Sequence, residues 1–334
     1  MNHNNMAWIG IDVSKDKLDV CLFKANDKAV FKIVSNDTKG FKQMLAWIKH
    51  AAPALELHYS LEATGTYSNA VAEFLVENEL KVSVVNPALT SSAATTYKLG
   101  NKTDHTMCLV IAKYCRDEKP AIWKRATPEI RRLSALVHRR EALKVTLVQE
   151  ENRLKAPGNE KEITVSIKKS IAFLTKEIND LDKKIEEHIQ TTPSLKADAE
   201  LLQSIPGIGA LTASAILADM PNVEDFKEAS SYAAFAGLAP FEVSSGSSVR
   251  RQTHISRQGS KRMRSQLYWP AISAITHNPL VKPLYDRICA KGRAKMIGFC
   301  AAMRKLLLIA YGVLKNRHKF DKNWGAKPST LSEA

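Results

Sequence analysis

The chain has only five cysteines in 334 residues, at positions 21, 108, 115, 289 and 300, and none stand in C-x-x-C spacing. An odd count without that spacing excludes a cysteine zinc site and suits free, mostly buried thiols in a reducing cytoplasm. Long apolar runs are also missing: Leu306 to Leu314, one of the longest, falls well short of a membrane span. The opening residues Met1-Asn2-His3-Asn4-Asn5 have no basic stretch followed by an apolar one, so neither a signal peptide nor a membrane partner is expected. Acids are nearly absent from one part of the chain. Between Val243 and Phe320 stand sixteen Lys or Arg and one acid, Asp286, which accounts for the whole net charge of +15. A field concentrated in this way favours phosphate backbones through counterion release; the plainer alternative is a solvated basic face.

What is present begins with Trp8-Ile9-Gly10-Ile11-Asp12-Val13, a buried-strand run with one acid in it. A carboxylate among apolar neighbours is costly unless a metal, a Lys or an Arg meets it, or turn amides bond it at the strand end. Residues 8 to 35 read as three strands, Ile9–Val13, Leu18–Phe23 and Ala29–Val34, joined by short polar turns. A helix over Phe41, Met44, Leu45, Trp47 and Ile48 follows, capped by Asp37 or Thr38. Next come a strand from Leu55 to Leu61 closing on Glu62, a helix through Val71, Phe74 and Leu75, and a strand from Lys81 to Val85. A polar stretch with Ser91, Ser92, Thr95 and Thr96 leads to Asn101-Lys102-Thr103-Asp104 and a final helix. This βββαβαβα order is that of an α/β ribonuclease-H-like (RuvC-like) domain, in which acids of the first strand, the fourth strand and the last helix meet. Asp12, Glu62 and Asp104 hold those places. Oxygen ligands suit Mg²⁺ or Mn²⁺.

From Pro128 the pattern turns helical. Leu133, Leu136, Leu143, Leu147 and Leu154 form an imperfect heptad seam with Arg140 and Glu150 in it, and Pro157-Gly158 breaks the run. Ile167, Ile171, Leu174, Ile178, Leu181 and Ile185 then keep a coiled-coil spacing. Such an arm folds back in one chain, pairs two chains, or is an ordinary bundle. Leu201 to Gly209, with Ile205-Pro206-Gly207-Ile208-Gly209 between two helices, reads as a helix-hairpin-helix or a plain helix turn. In the first case Gly207 and Gly209 let backbone N–H groups approach a phosphate. The loop Ser244-Ser245-Gly246-Ser247-Ser248 precedes Arg250, Arg251, His254, Arg257, Lys261, Arg262 and Arg264. A serine beside clustered cations can attack a phosphodiester if a base or metal activates it. The expected parts are a RuvC-like domain at 1–127, an arm at 128–195, a mostly α domain at 196–320 and a loose tail at 321–334.

Taken together, these residues resemble the DEDD-type transposases of bacterial insertion sequences, relatives of the Piv DNA invertase. The resemblance rests on Ile9-Gly10-Ile11-Asp12, Glu62-Ala63-Thr64-Gly65-Thr66-Tyr67, Asn101-Lys102-Thr103-Asp104 and Ile205-Pro206-Gly207-Ile208-Gly209. It rests further on Phe235-Ala236-Gly237-Leu238 with Pro240, and on Ser245-Gly246 with Ile255-Ser256-Arg257-Gln258-Gly259. It implies that Asp12, Glu62 and Asp104 bind Mg²⁺ and that Ser245 forms a phosphoserine with a cut strand. It also implies a structured bridge RNA that pairs with donor and target DNA. The subunits are expected as a dimer or tetramer, with the acids of one and the serine of another in each active site. Lys102, Gly207, Gly209, Arg250, Arg251, Arg257, Lys261, Arg262 and Arg264 are the expected nucleic-acid contacts, and the bacterial cytoplasm the expected location.

One position departs from the pattern. The family places a fourth acid where this chain has Met107, one helical turn from Asp104. A thioether is a poor ligand for hard Mg²⁺, so the second reading is a catalytically impaired nucleic-acid-binding relative. A sugar-kinase-like ATPase shares the Asp-bearing first hairpin, but no second glycine-rich phosphate loop follows here.

Overall fold

Apolar residues on both faces of the first two runs place them in the middle of a sheet. In the computed structural model, β1 (Met6–Val13), β2 (Lys17–Lys24), β3 (Ala29–Ser35), β4 (Glu56–Glu62) and β5 (Lys81–Val85) form one sheet in the order β3-β2-β1-β4-β5. The first three strands are an antiparallel meander, while β4 lies parallel to β1 and β5 parallel to β4. The structure describes residues 5–63, 65, 67–97, 103–158, 160–220, 222–241, 244–245, 249–250, 254–256 and 259–323, with the backbone alone at 244–245 and 249–250. The chain divides into two compact units, Met1–Arg125 and Ala126–Ala334.

In the first unit, α1 (Thr38–Ala51) and α2 (Asn69–Glu77) cover one face of the sheet. Phe41, Met44, Ile48, Val71 and Leu75 pack there on Ile9, Ile11, Leu18, Tyr59 and Leu61. On the other face, α4 (Asp104–Glu118) sets Cys108, Ala112 and Cys115 against Trp8, Cys21 and Phe23. Gly10 makes that packing possible. A Cβ at this position would overlap the Cys108 carbonyl oxygen and lie 2.5 Å from the Ala112 nitrogen.

The polar stretch expected after β5 is instead a helix, α3 (Pro87–Thr96). Apolar periodicity is missing because the helix is built largely of alanine, serine and threonine, and its hydroxyls are satisfied locally: Thr95 and Thr96 donate to the carbonyls of Ser91 and Ser92. A start signal is present, with Asn86 as N-cap accepting from Ala88 N and Pro87 in the first turn.

In the second unit, α5 (Pro128–Lys155) and α6 (Lys161–Thr191) form a helical hairpin within one chain. Leu143 and Leu147 meet Leu174 and Ile178, while Leu133 and Val137 meet Ile185 and Ile189 nearer its base. Arg140, in the seam, is answered by Asp182 at 2.5 Å and by Glu141 at 2.9 Å. The base of the hairpin packs on α7 (Pro193–Gln203) and α8 (Ala210–Asp219). A larger core joins these to α9 (Ala229–Phe235), α10 (Lys261–His277), α11 (Lys282–Ala290) and α12 (Lys295–Asn316). By length and composition α12 could cross a membrane, yet Leu306, Leu307, Ala310 and Val313 are fully buried in that core, which accounts for its apolar character.

Candidate metal centre and nucleic-acid interface

Asp12 sits near the end of β1 and Glu62 at the end of β4, the strand beside it. Because side chains alternate along a strand, Gly10 and Asp12 face the α4 side of the sheet, and so do Ser60 and Glu62. Asp104 opens α4, whose N-cap Thr103 accepts from Thr106 N at 3.3 Å. The acids feel one another. Burial, then the charges of Asp104, Glu62 and Asp19, push the Asp12 carboxyl up from an ordinary 3.8 to about 6.

Two members of this cluster carry no motif that marks them in the sequence. Asp19 on β2 lies directly opposite Asp12 in the antiparallel register and is only 4% exposed. Lys17 reaches over it, with Nζ 2.9 Å from Asp19 Oδ2 and 2.8 Å from Asp104 Oδ2. The two carboxylates hold the Lys17 ammonium protonated above the usual lysine range, Asp104 contributing most. The hairpin offers a signal for Asp19: Ile11-Asp12-Val13 and Leu18-Asp19-Val20 are mirrored about the turn between them. Glu62 has a partner of its own, since the buried Thr90 hydroxyl of α3 donates to its Oε2 at 2.7 Å.

The expected convergence of three acids on one ion is not the arrangement found. Among the described residues no three His, Cys, Asp or Glu side chains stand placed to hold one metal ion. Lys17 draws Asp104 toward Asp19 instead. The donor set still fits a hard divalent cation. It is made of carboxylate oxygens, and the buried Asp19 Oδ2 has the Lys17 ammonium, at 2.9 Å, as its one partner among the described residues. His105 is not a substitute ligand, because its ring stacks on Phe31 with centroids 3.7 Å apart.

The raised Asp12 carboxyl has a consequence for stability. The folded chain holds this proton more tightly than the unfolded one, so the contribution is full below pH 3.8 and lost as pH rises through about 6. With divalent ions chelated, Asp12→Asn is therefore expected to raise the unfolding midpoint at pH 7.5 more than at pH 5. An equal change at both pH values in a denaturation series would contradict the shift.

In the second unit, Ser244–Ser245 pairs antiparallel with Val249–Arg250, and Pro240–Phe241 with His254–Ile255, so Ser245 lies on a short hairpin. In the same unit, two of the resemblance's motifs meet. A Cβ on Gly259 would overlap the Gly237 nitrogen and the Phe235 carbonyl oxygen, so both glycines are demanded by close backbone approach. Arg264 seals this contact by donating to the carbonyls of Gly259 at 2.9 Å and Ala236 at 3.3 Å. Arg262 donates through Nε to Asp219 Oδ2 at 2.8 Å, and His138 Nε2 lies 2.6 Å from Oδ1 of the same buried carboxylate. These two arginines, expected on phosphate, thus hold the fold together. Gly207 packs against Ala274, whereas Gly209, at the N-cap of α8, and Lys261 face open space and solvent. Lys102, Arg251 and Arg257 lie outside the described residues, and so do the side chains of Ser245 and Arg250.

Comparison with known proteins agrees with these parts. Residues 9–157 match a model of DEDD transposases of IS110 elements, described as a transposase. Residues 199–286 match a second model, described as a transposase of the IS116/IS110/IS902 family. The chain is 33% identical over 322 residues to the pilin gene-inverting protein of Moraxella bovis, covering 95% of this chain and 98% of that one. The protein of that name in Moraxella lacunata is also 33% identical, again over 95% and 98% of the two chains. A transposase for insertion sequence element IS1111A of Coxiella burnetii is 30% identical over 34% of this chain and 32% of its own. The chain belongs to the IS110 family of DEDD-type transposases.

Proposed function

We propose that the chain is a site-specific DNA recombinase that cuts and rejoins strands through Ser245, with Asp12, Glu62 and Asp104 holding Mg²⁺ or Mn²⁺. The observation that carries this reading is the acid cluster at the ends of β1 and β4 and the start of α4, where burial first, and then the charges of Asp104, Glu62 and Asp19, raise the Asp12 carboxyl to about 6. A divalent ion bound there would offset the negative charge of a phosphodiester and polarise its oxygens. The Thr90 hydroxyl orients Glu62, and Gly10 lets α4 lie close enough to β1 to bring Asp104 into the cluster.

The covalent step balances without another reactant. Ser245 Oγ bonds to phosphorus, the bond from phosphorus to one deoxyribose oxygen breaks, and the hydroxyl proton leaves to solvent or the departing oxygen. The phosphoserine conserves the ester, so attack by a deoxyribose hydroxyl rejoins the strand and frees the serine. Lysines and arginines of the 243–320 segment supply the field that draws in nucleic acid. The partners in this reading are donor and target DNA, a structured guide RNA and further copies of the chain. The RuvC-like character of the first unit, the coiled-coil nature of the α5–α6 arm and the helix-hairpin-helix at Gly207 and Gly209 belong to the same reading.

Met107 and the Lys17 bridge favour a second reading, a relative that binds nucleic acid without cutting it. A divalent-metal titration separates the two. Cleavage of target DNA is expected only with Mg²⁺ or Mn²⁺, and Asp12→Asn should lower it by about 100-fold or more while binding persists. Tight binding with no cleavage at any metal concentration would favour the second reading.

A further inference from the structure

The Lys17 ammonium is placed unlike an ordinary surface lysine. It contacts the most buried acid of the cluster, Asp19, and the exposed acid at the start of α4, Asp104, within 2.9 Å of each. Asp19 and Asp12 are cross-strand neighbours, so this cation sits at the edge of the group that gathers the carboxylates. Asp19 Oδ2 has no other partner among the described residues, and its position in β2 is set by pairing on both sides, to Asp12 and to Ile33. That end of the bridge is fixed by the sheet. The other end is not, because Asp104 is half-exposed and lies in the first turn of its helix.

We infer that Lys17 is a tethered counter-cation of the acid cluster, anchored on Asp19, which competes with a divalent ion for Asp104. The inference rests on the metal reading above and adds to it a residue that governs access to the centre. A lysine suits this role, because its ammonium is a compact point charge on a flexible four-carbon stem and can swing out without moving the backbone. With no divalent ion bound, the ammonium neutralises part of the crowded negative charge and holds Asp104 inward. Loading the centre requires Asp104 to exchange this ammonium for the ion, so each site starts from a closed, charge-balanced condition. Lys17 is thus a positioning residue, acting through the orientation of Asp104.

The test uses the full chain, with Mn²⁺ alone as probe and calorimetry or the Mn²⁺ spin-resonance signal as readout. Lys17→Met and Lys17→Gln are each expected to bind Mn²⁺ about threefold or more tighter than the unmodified chain, and Lys17→Arg within about twofold of it. In chelator, the two neutral variants are expected to melt about 2 °C or more lower, since the acids then repel without a counter-cation. Unchanged or weaker Mn²⁺ binding in both neutral variants would overturn the inference while leaving the metal reading standing. Absence of Mn²⁺ binding in every chain, including the unmodified one, would overturn the metal reading and the inference with it.

Discussion

Ser245→Ala is expected to abolish the covalent protein–DNA adduct and to lower strand exchange by more than about 1,000-fold, while nucleic-acid binding stays nearly intact. The size of the effect follows from the chemistry. A methyl group cannot form an ester with phosphorus, and no residual step replaces a missing nucleophile. Binding is spared because attraction to phosphates comes from the many cations of the 243–320 segment, of which the serine is not one. The measurement is a denaturing gel of radiolabelled target DNA after incubation with Mg²⁺. Ser244→Ala makes the control, since Ser244 shares the same two-residue strand. An adduct that persists in Ser245→Ala and vanishes in Ser244→Ala would move the nucleophile by one residue.

Gly10→Val should unfold the first unit or cost it at least about 4–5 kcal/mol, the range reserved for a few severe mechanisms. The obstacle is backbone rather than a side chain that can turn aside. The first added carbon already overlaps the carbonyl of Cys108, and valine adds two methyl groups beyond it. Relief requires α4 to lift from β1, which opens the packing of Cys108, Ala112 and Cys115 on Trp8, Cys21 and Phe23. A domain's whole stability is about 5–15 kcal/mol, so little would remain. Gly10→Ala is the milder variant, expected to leave a folded chain in which Asp104 is displaced with its helix. Hydrogen exchange on residues 104–118 reports both changes, and native-like protection in Gly10→Val would refute the argument.

Much of the first unit is readable from residue pattern because β1, β2 and β4 are buried on both faces and α1 and α2 carry a clear apolar stripe. Ile9, Ile11, Leu18 and Tyr59 need no tertiary information to be assigned to a sheet interior. Asp12, Glu62 and Asp104 are legible as a set only through the element order, since their spacing in sequence says nothing of distance. Lys17 is not, because a lysine beside a turn looks like ordinary hairpin polarity, and Asp19 shows only in the mirrored triplets whose register aligns it with Asp12. Helix α3 is hidden because alanine, serine and threonine carry almost no apolar period, and only its cap announces it. In the second unit, a dense run of cations gives no means to separate those that face outward from those that hold the fold. Arg262 and Arg264 belong to the latter, through one carboxylate and two carbonyls that sequence spacing does not locate.

Asp219 stands at the end of α8 and receives His138 from α5 and Arg262 from α10, so one buried carboxylate fastens three helices. Its place is at the root of the long α5–α6 hairpin, where Ser134 also donates to the Ala218 carbonyl. The foot of α5 and the start of α10 thus share a single anionic rivet at the end of α8, and neutralising Asp219 would loosen both at once.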